Sequence, residues 1–147
     1  MQTPNGSNSR PTATAGEHGV SIISHLRKSG VFREYKDAFE TTTGLPLALR
    51  ATGSFQPPLH DSKQANPFCV MMAAGNKSCA ACLQLQQHIE EDATCEPKTF
   101  ECFAGLNDSA VPVRVGENLI GYLQTGQVLL RSPSKSRFTA TVSQLRA

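Results

Sequence analysis

The 147-residue chain contains no hydrophobic run approaching the roughly 18–20 residues that a helical bilayer span requires. Nothing in it predicts contact with a membrane. Its first sixteen residues lack the apolar core of an export signal, because Met1 to Gly16 is mostly Thr, Ser, Asn, Pro, Gly and Ala. That composition buries too little surface to offset the entropy of ordering it, so residues 1–16 are expected to form a disordered leader. Lys and Arg never cluster beyond a pair, and the formal net charge is only +2. A basic stripe able to neutralise several phosphates is therefore missing, which argues against DNA binding by this segment itself. An even cysteine count, usual in a secreted disulfide scaffold, is missing too, since there are five. Reduced thiols and the lack of an export signal together place the protein in the cytoplasm. What remains, 39% hydrophobic and 18% charged residues, suits one small globular domain.

The pattern along the chain divides into helices and then strands. Val20, Ile23 and Leu26 mark a short first helix over Val20 to Leu26. Ser29 is an N-cap for a second, in which Phe32, Tyr35 and Phe39 recur at helical spacing and Gly44 supplies a left-handed stop. That aromatic row reads as core, or as the seam of a homodimer. Leu45, Leu47 and Leu49 alternate as in a strand, and Gly53 to Lys63, with Pro57-Pro58, reads as a loop. Asn66-Pro67 opens a short helix expected to bury Phe68, Met71 and Met72, and Gly75-Asn76 ends it. Cys79 to about Ala93 is the clearest helix, with Cys79, Cys82, Leu85, Ile89 and Ala93 on one face and Gln86 in the middle of that face.

Strand alternation follows in Thr99 to Phe103, in Ala110 to Val115 and in Leu119 to Leu130, the last two joined by hairpin chemistry at Gly116-Glu117-Asn118. Asn107-Asp108 reads as a turn. Pro112 cannot donate to a ladder and belongs at an edge or bulge, and Gly126 marks another bulge. After Pro133 a helical pattern (Phe138, Val142, Leu145) ends without a cap, as if the natural protein continued past Ala147. The expected fold is α+β, an antiparallel sheet with helices packed on one face and a ligand-sized hollow between them.

The chemistry concentrates between Asn66 and Gln127. Cys69, Cys79, Cys82 and Cys102 admit three readings: a four-thiolate site for zinc or an iron–sulfur cluster, a cysteine-lined core or pocket, or a redox switch. Only one CxxC is present, Cys79 to Cys82, where a zinc ribbon uses two. Gln86, Gln124 and Gln127 either project into the hollow and hydrogen-bond a ligand or satisfy bulged backbone. Tyr122 shares a strand face with Gln124 as core or pocket wall, and Cys102 joins the same candidate set. Arg114 is either exposed or available to an anionic ligand. His88 lies opposite the cysteine face and reads as solvated.

The chain resembles the PocR ligand-binding domain, a PAS-like sensory module of bacterial transcription regulators and signalling proteins. The resemblance is carried in order by Phe39, Thr43-Gly44-Leu45, Phe68-Cys69, Lys77-Ser78-Cys79-Ala80-Ala81-Cys82, Cys102-Phe103-Ala104-Gly105-Leu106, Val111-Pro112-Val113, Ile120-Gly121 and Gly126-Gln127-Val128. It spans roughly Val20 to Leu130. It implies a detector of small organic molecules with no catalysis of its own, often placed ahead of an AraC-type helix-turn-helix domain that contacts DNA. On that reading residues 17–133 form the sensory domain and residues 134–147 begin a linker helix toward an output domain absent from this sequence. The alternative is a metal or redox sensor in the same kind of regulator. A thiol enzyme is a third reading. No histidine lies near Cys102 in sequence to serve as its base, and a helix rather than a strand precedes the CxxC.

Overall fold

The structure, a computed structural model, describes residues 14–54, 59, 62–92 and 95–146. Most of the expected leader, and Pro57-Pro58 and Ala93, lie outside the described residues. Helix α1 (Ala15–Lys28) starts five residues before the expected boundary, because Thr14 and Glu17 close a capping box: Glu17 N donates to Thr14 Oγ1 at 3.3 Å and Thr14 N to Glu17 Oε2 at 2.7 Å. Ser29 serves two helices at once. Its hydroxyl donates to Leu26 O at 2.7 Å, ending α1, and accepts from Phe32 N at 3.2 Å, opening α2 (Gly30–Thr43). Gly44 then stops α2 at φ 70°, where a side chain would be strained.

Strand β1 (Leu47–Ala51), helices α3 (Pro67–Ala73) and α4 (Asn76–Glu91), strands β2 (Lys98–Glu101), β3 (Asn107–Val115) and β4 (Asn118–Val128), and helix α5 (Lys135–Arg146) complete the order. The four strands form one antiparallel sheet in the order β1-β4-β3-β2. The architecture is α+β with helices packed against an antiparallel sheet, consistent with a PAS-like fold, but α1 covers one face and α4 the other where a single covered face was expected. Pro112 sits beyond the last residue paired to β2, so its missing N–H leaves no ladder bond unmade on that side.

Pairing register assigns the side chains. Leu47, Leu49 and Ala51 share one face, on which α1 packs Ile23 in a cluster with Leu49, Ala51 and Ile120. Gly121 permits that approach, since a Cβ there would overlap Arg50 O and come within 2.8 Å of Ile23 Cδ1. Ala48, Arg50, Tyr122, Gln124 and Ala110 occupy the opposite face, where α4 lays down Leu85 and Ile89. Glu40 ties α2 to β1: its buried carboxylate accepts from Leu47 N at 3.1 Å and from Ser62 Oγ at 2.7 Å.

Three expectations about single segments change. Asn107-Asp108 is strand, not turn, because ladder pairing to Glu101, Phe100, Val128 and Gly126 overrides local turn chemistry. Cys102 lies just past the end of β2 in a tight turn, with its N–H on Leu106 O at 2.8 Å and Gly105 N on its own carbonyl at 3.0 Å. Met71 is 60% exposed, and Phe68 and Met72 are half-buried. A seven-residue helix turns only one face inward, and in α3 that face belongs to Cys69 and Ala73. Phe68, Met71 and Met72 line an apolar groove of about 420 Å³ against α5.

Candidate functional site

Between α4 and the sheet, strand alternation brings three polar side chains into an apolar interior and α4 adds a fourth. Gln86, Gln124, Tyr122 and Arg50 are 0%, 1%, 2% and 7% exposed. Six of their atoms are buried without a hydrogen-bond partner: both amide atoms of Gln86, Tyr122 Oη, Gln124 Oε1, and Nε and Nη2 of Arg50. Buried polar groups are normally paired, because leaving one unsatisfied costs roughly 1–3 kcal/mol. A concentration of such atoms on one face therefore marks a place built for something beyond packing.

Arg50 is held from one side only. Its Nη1 donates to Glu90 Oε1 at 2.9 Å and to Ser54 O at 3.2 Å, Gly53 N donates to the same Glu90 oxygen at 2.8 Å, and the guanidinium lies 5.0 Å from the Tyr122 ring centroid. The Tyr122 phenol is raised above its ordinary pKa, first by burial and then by the Glu90 charge, so it remains a proton donor at neutral pH. Neither Arg50 nor Glu90 stood out in the sequence. Alternation placed Arg50 opposite the leucines of β1, which reads as solvent-facing until α4 is seen to cover that side.

Toward β2 the same face borders a cavity of about 30 Å³, walled by Cys69, Cys82, Leu85, Cys102, Asp108 and Gln127 among others. Its shape comes from a bulge. Asn107 pairs with Val128 and Asp108 with Gly126, leaving Gln127 as the extra residue at φ 59° and Gly126 at φ 141°. This twist turns Gln127 N toward Asp108 Oδ1 at 2.8 Å, while Gln124 Nε2 donates to Asp108 Oδ2 at 2.9 Å. Asp108 is 3% exposed, and burial raises its pKa despite those two donors. The Gln127 side chain takes the backbone-satisfying role: its Oε1 accepts from Asn66 N at 2.7 Å, and Asn66 Nδ2 donates to its carbonyl at 3.0 Å. That pair fastens the start of α3 to the bulge.

Three of the four cysteines thus converge on one cavity, and Cys79 is not among its walls. Among the described residues no group of three or more His, Cys, Asp or Glu is gathered closely enough to hold a metal ion. The three thiols on the cavity are raised above the ordinary thiol range. Burial, with the nearby Asp108 charge, pushes Cys69 up to about 12; burial and the neighbouring Cys102 push Cys82 up to about 11. Burial raises Cys102 as well, outweighing the Ala104 and Leu106 backbone donors. At neutral pH these are protonated, polarisable wall atoms. His88 is exposed, as expected of the face turned away from the cysteines. Arg114 is exposed as well, and its Nη1 donates to Glu117 O at 3.0 Å.

A family model described as the sensory domain found in PocR matches residues 28–147. The chain belongs to that family. The match takes in every strand, α2 to α5 and the last residue of α1. No curated protein and no solved structure matches the chain. Membership in the PocR sensory family suggests a sensory, non-enzymatic role. No helix among the described residues is long and apolar enough to cross a membrane.

Proposed function

We propose that this domain binds a small organic molecule between α4 and the sheet and passes its presence to an attached output domain of a bacterial transcription regulator. The observation that carries the reading is the row of six unpartnered buried polar atoms on Gln86, Gln124, Tyr122 and Arg50 beside the thiol-walled cavity. A guest able to satisfy them would recover free energy that the empty fold forgoes. Gln86, Tyr122 and Gln124 are its polar contacts, and Cys102 and Gln127 belong to the adjoining wall.

The cavity itself is water-sized, since about 10–15 Å³ of such volume admits one water. An organic guest would have to displace α3 or α4 to enter fully. Displacement is how binding becomes a signal, because a ligand shifts a conformational equilibrium only by its difference in affinity for the two states. Helix α3 is placed to relay it. Cys69 and Ala73 face the cavity, while Phe68, Met71 and Met72 face the groove shared with α5. In this reading residues 17–133 are the sensory unit, and residues 134–147 lead toward a DNA-contacting helix-turn-helix partner. The exposed Val31 and Tyr35 of α2 offer a face for a homodimer.

Thermal unfolding of the 147-residue chain against a panel of short alcohols, amines, carboxylates and aromatic derivatives tests the proposal. At least one class should raise the midpoint, and Gln86→Met should weaken that response at unchanged or higher intrinsic stability. A panel without any shift would remove the sensory reading.

A further inference from the structure

The charge of the cavity follows from its wall. Among the described residues Asp108 is the only formally charged one lining it, and it takes part in no ion pair with them. Each of its oxygens accepts one hydrogen bond, from Gln127 N and from Gln124 Nε2, an arrangement suited to the carboxylate form. The other end of the same Gln124 amide, Oε1, is buried and unpartnered, and it too is an acceptor. Apart from Gln127, the remaining described wall is hydrocarbon and sulfur, Leu85, Leu106, Cys69, Cys82 and Cys102 among it. A buried carboxylate without a counter-charge is costly unless a cation joins it.

We infer that the guest of this site is a small organic cation, a short primary alkylammonium, whose N–H groups are received by Asp108 and Gln124 Oε1 and whose hydrocarbon lies along Leu85, Leu106 and the thiols. The inference rests on the sensory reading above and narrows it to one ligand charge. An ammonium head is close to water in size and matches the 30 Å³ available. It supplies three donors where an alcohol supplies one, and it neutralises the interior charge. A carboxylate placed in the cavity would meet Asp108 with like charge.

Calorimetric titration of the 147-residue chain with propylammonium chloride, 1-propanol, sodium propionate and potassium chloride at matched ionic strength separates the possibilities. Propylammonium should bind about tenfold or more tightly than the alcohol, with propionate and potassium silent. Asp108→Asn should weaken it by about tenfold or more. Should that variant fail to fold, the Gln127 amide and Gln124 side-chain resonances of the wild-type protein provide the second reading. Propylammonium must shift them and propionate must not. Binding of 1-propanol or propionate in preference to propylammonium would overturn the cation inference while leaving the sensory reading standing. Equal response to potassium would reduce the site to an inorganic cation site and overturn it as well. Silence of all four probes would also overturn it, with the wider panel above then deciding the sensory reading.

Discussion

Replacing Gln86 with methionine should make the unliganded domain more stable. Gln86 lies on the buried side of α4 between Leu85 and Ile89, 0% exposed, with neither amide atom paired. An unsatisfied buried polar group costs roughly 1–3 kcal/mol. Methionine keeps the unbranched length and adapts to irregular space, so the substitution removes that penalty without opening a void. Allowing a fraction of a kcal/mol for imperfect repacking, Gln86→Met should gain about 1–2 kcal/mol. In a domain of this size each kcal/mol moves the thermal midpoint by roughly 3–4 °C, so a rise of roughly 3–8 °C is expected. Gln86→Ala, which deletes the same amide but leaves a hole, should fall below wild type, so the two variants differ in sign. Urea and thermal unfolding in ligand-free buffer measure both. A Gln86→Met protein less stable than wild type by more than about 1 kcal/mol would show that the amide is paired in the folded state, and the argument for a polar site beneath α4 would lose its foundation.

Two further outcomes probe the same region. Gly126→Ala should destabilise severely: a Cβ would overlap Asn107 O, approach Asp108 Cα at 2.5 Å and Asp108 Oδ1 at 2.8 Å, at a φ of 141°. Backbone strain of about 1–3 kcal/mol and loss of the charge-assisted Gln127 N to Asp108 bond, about 1.5–3, together predict about 3–5 kcal/mol in urea unfolding, and a loss under about 1 would contradict the bulge geometry. Cys69 and Cys82 should resist iodoacetamide in the native protein at pH 8, because thiols at about 12 and about 11 are ionised there only to the order of one part in 10⁴ and 10³. Their modification, followed by mass spectrometry, should accelerate as pH rises toward 11 and on unfolding at pH 8; native reactivity at pH 8 equal to that of a free thiol would refute the burial argument.

Local chemistry made much of the fold legible. Ser29, Gly44 and Asn66 act as the caps their types suggest, and the Gly116 hairpin and Gly126 bulge fall where glycine marked them. Errors came where two local signals competed. Thr14 and Glu17 carry a capping-box spacing, yet the low-complexity composition around them reads as leader, so α1 was placed too late. Asn107-Asp108 has strong turn preference, but a strand already paired on both sides holds it extended, and only register reveals that. For α3, seven residues are too few for periodicity to distinguish the face on the cavity from the face on the groove, and the sequence pattern favoured the larger side chains.

The site was legible in proportion to how far each residue violates its own element. Gln86 interrupts an apolar helical face and announced itself; Gln124 and Tyr122 followed from alternation once a buried face was assumed. Arg50 and Asp108 violate nothing locally. Arg50 alternates correctly with the leucines of β1, and its burial depends on Glu90, forty residues away, lying over it from α4. Asp108 reaches that face by pairing with Gly126, which sets it beside the Gln124 amide, and one extra residue in β4 turns Gln127 N onto it. Both are products of long-range register, to which single-sequence patterning is blind. Because the one unpaired charge of the cavity comes from such a residue, ligand charge is the property of this domain that its sequence conceals most, and the one on which the two strand-borne donors to Asp108 bear most directly.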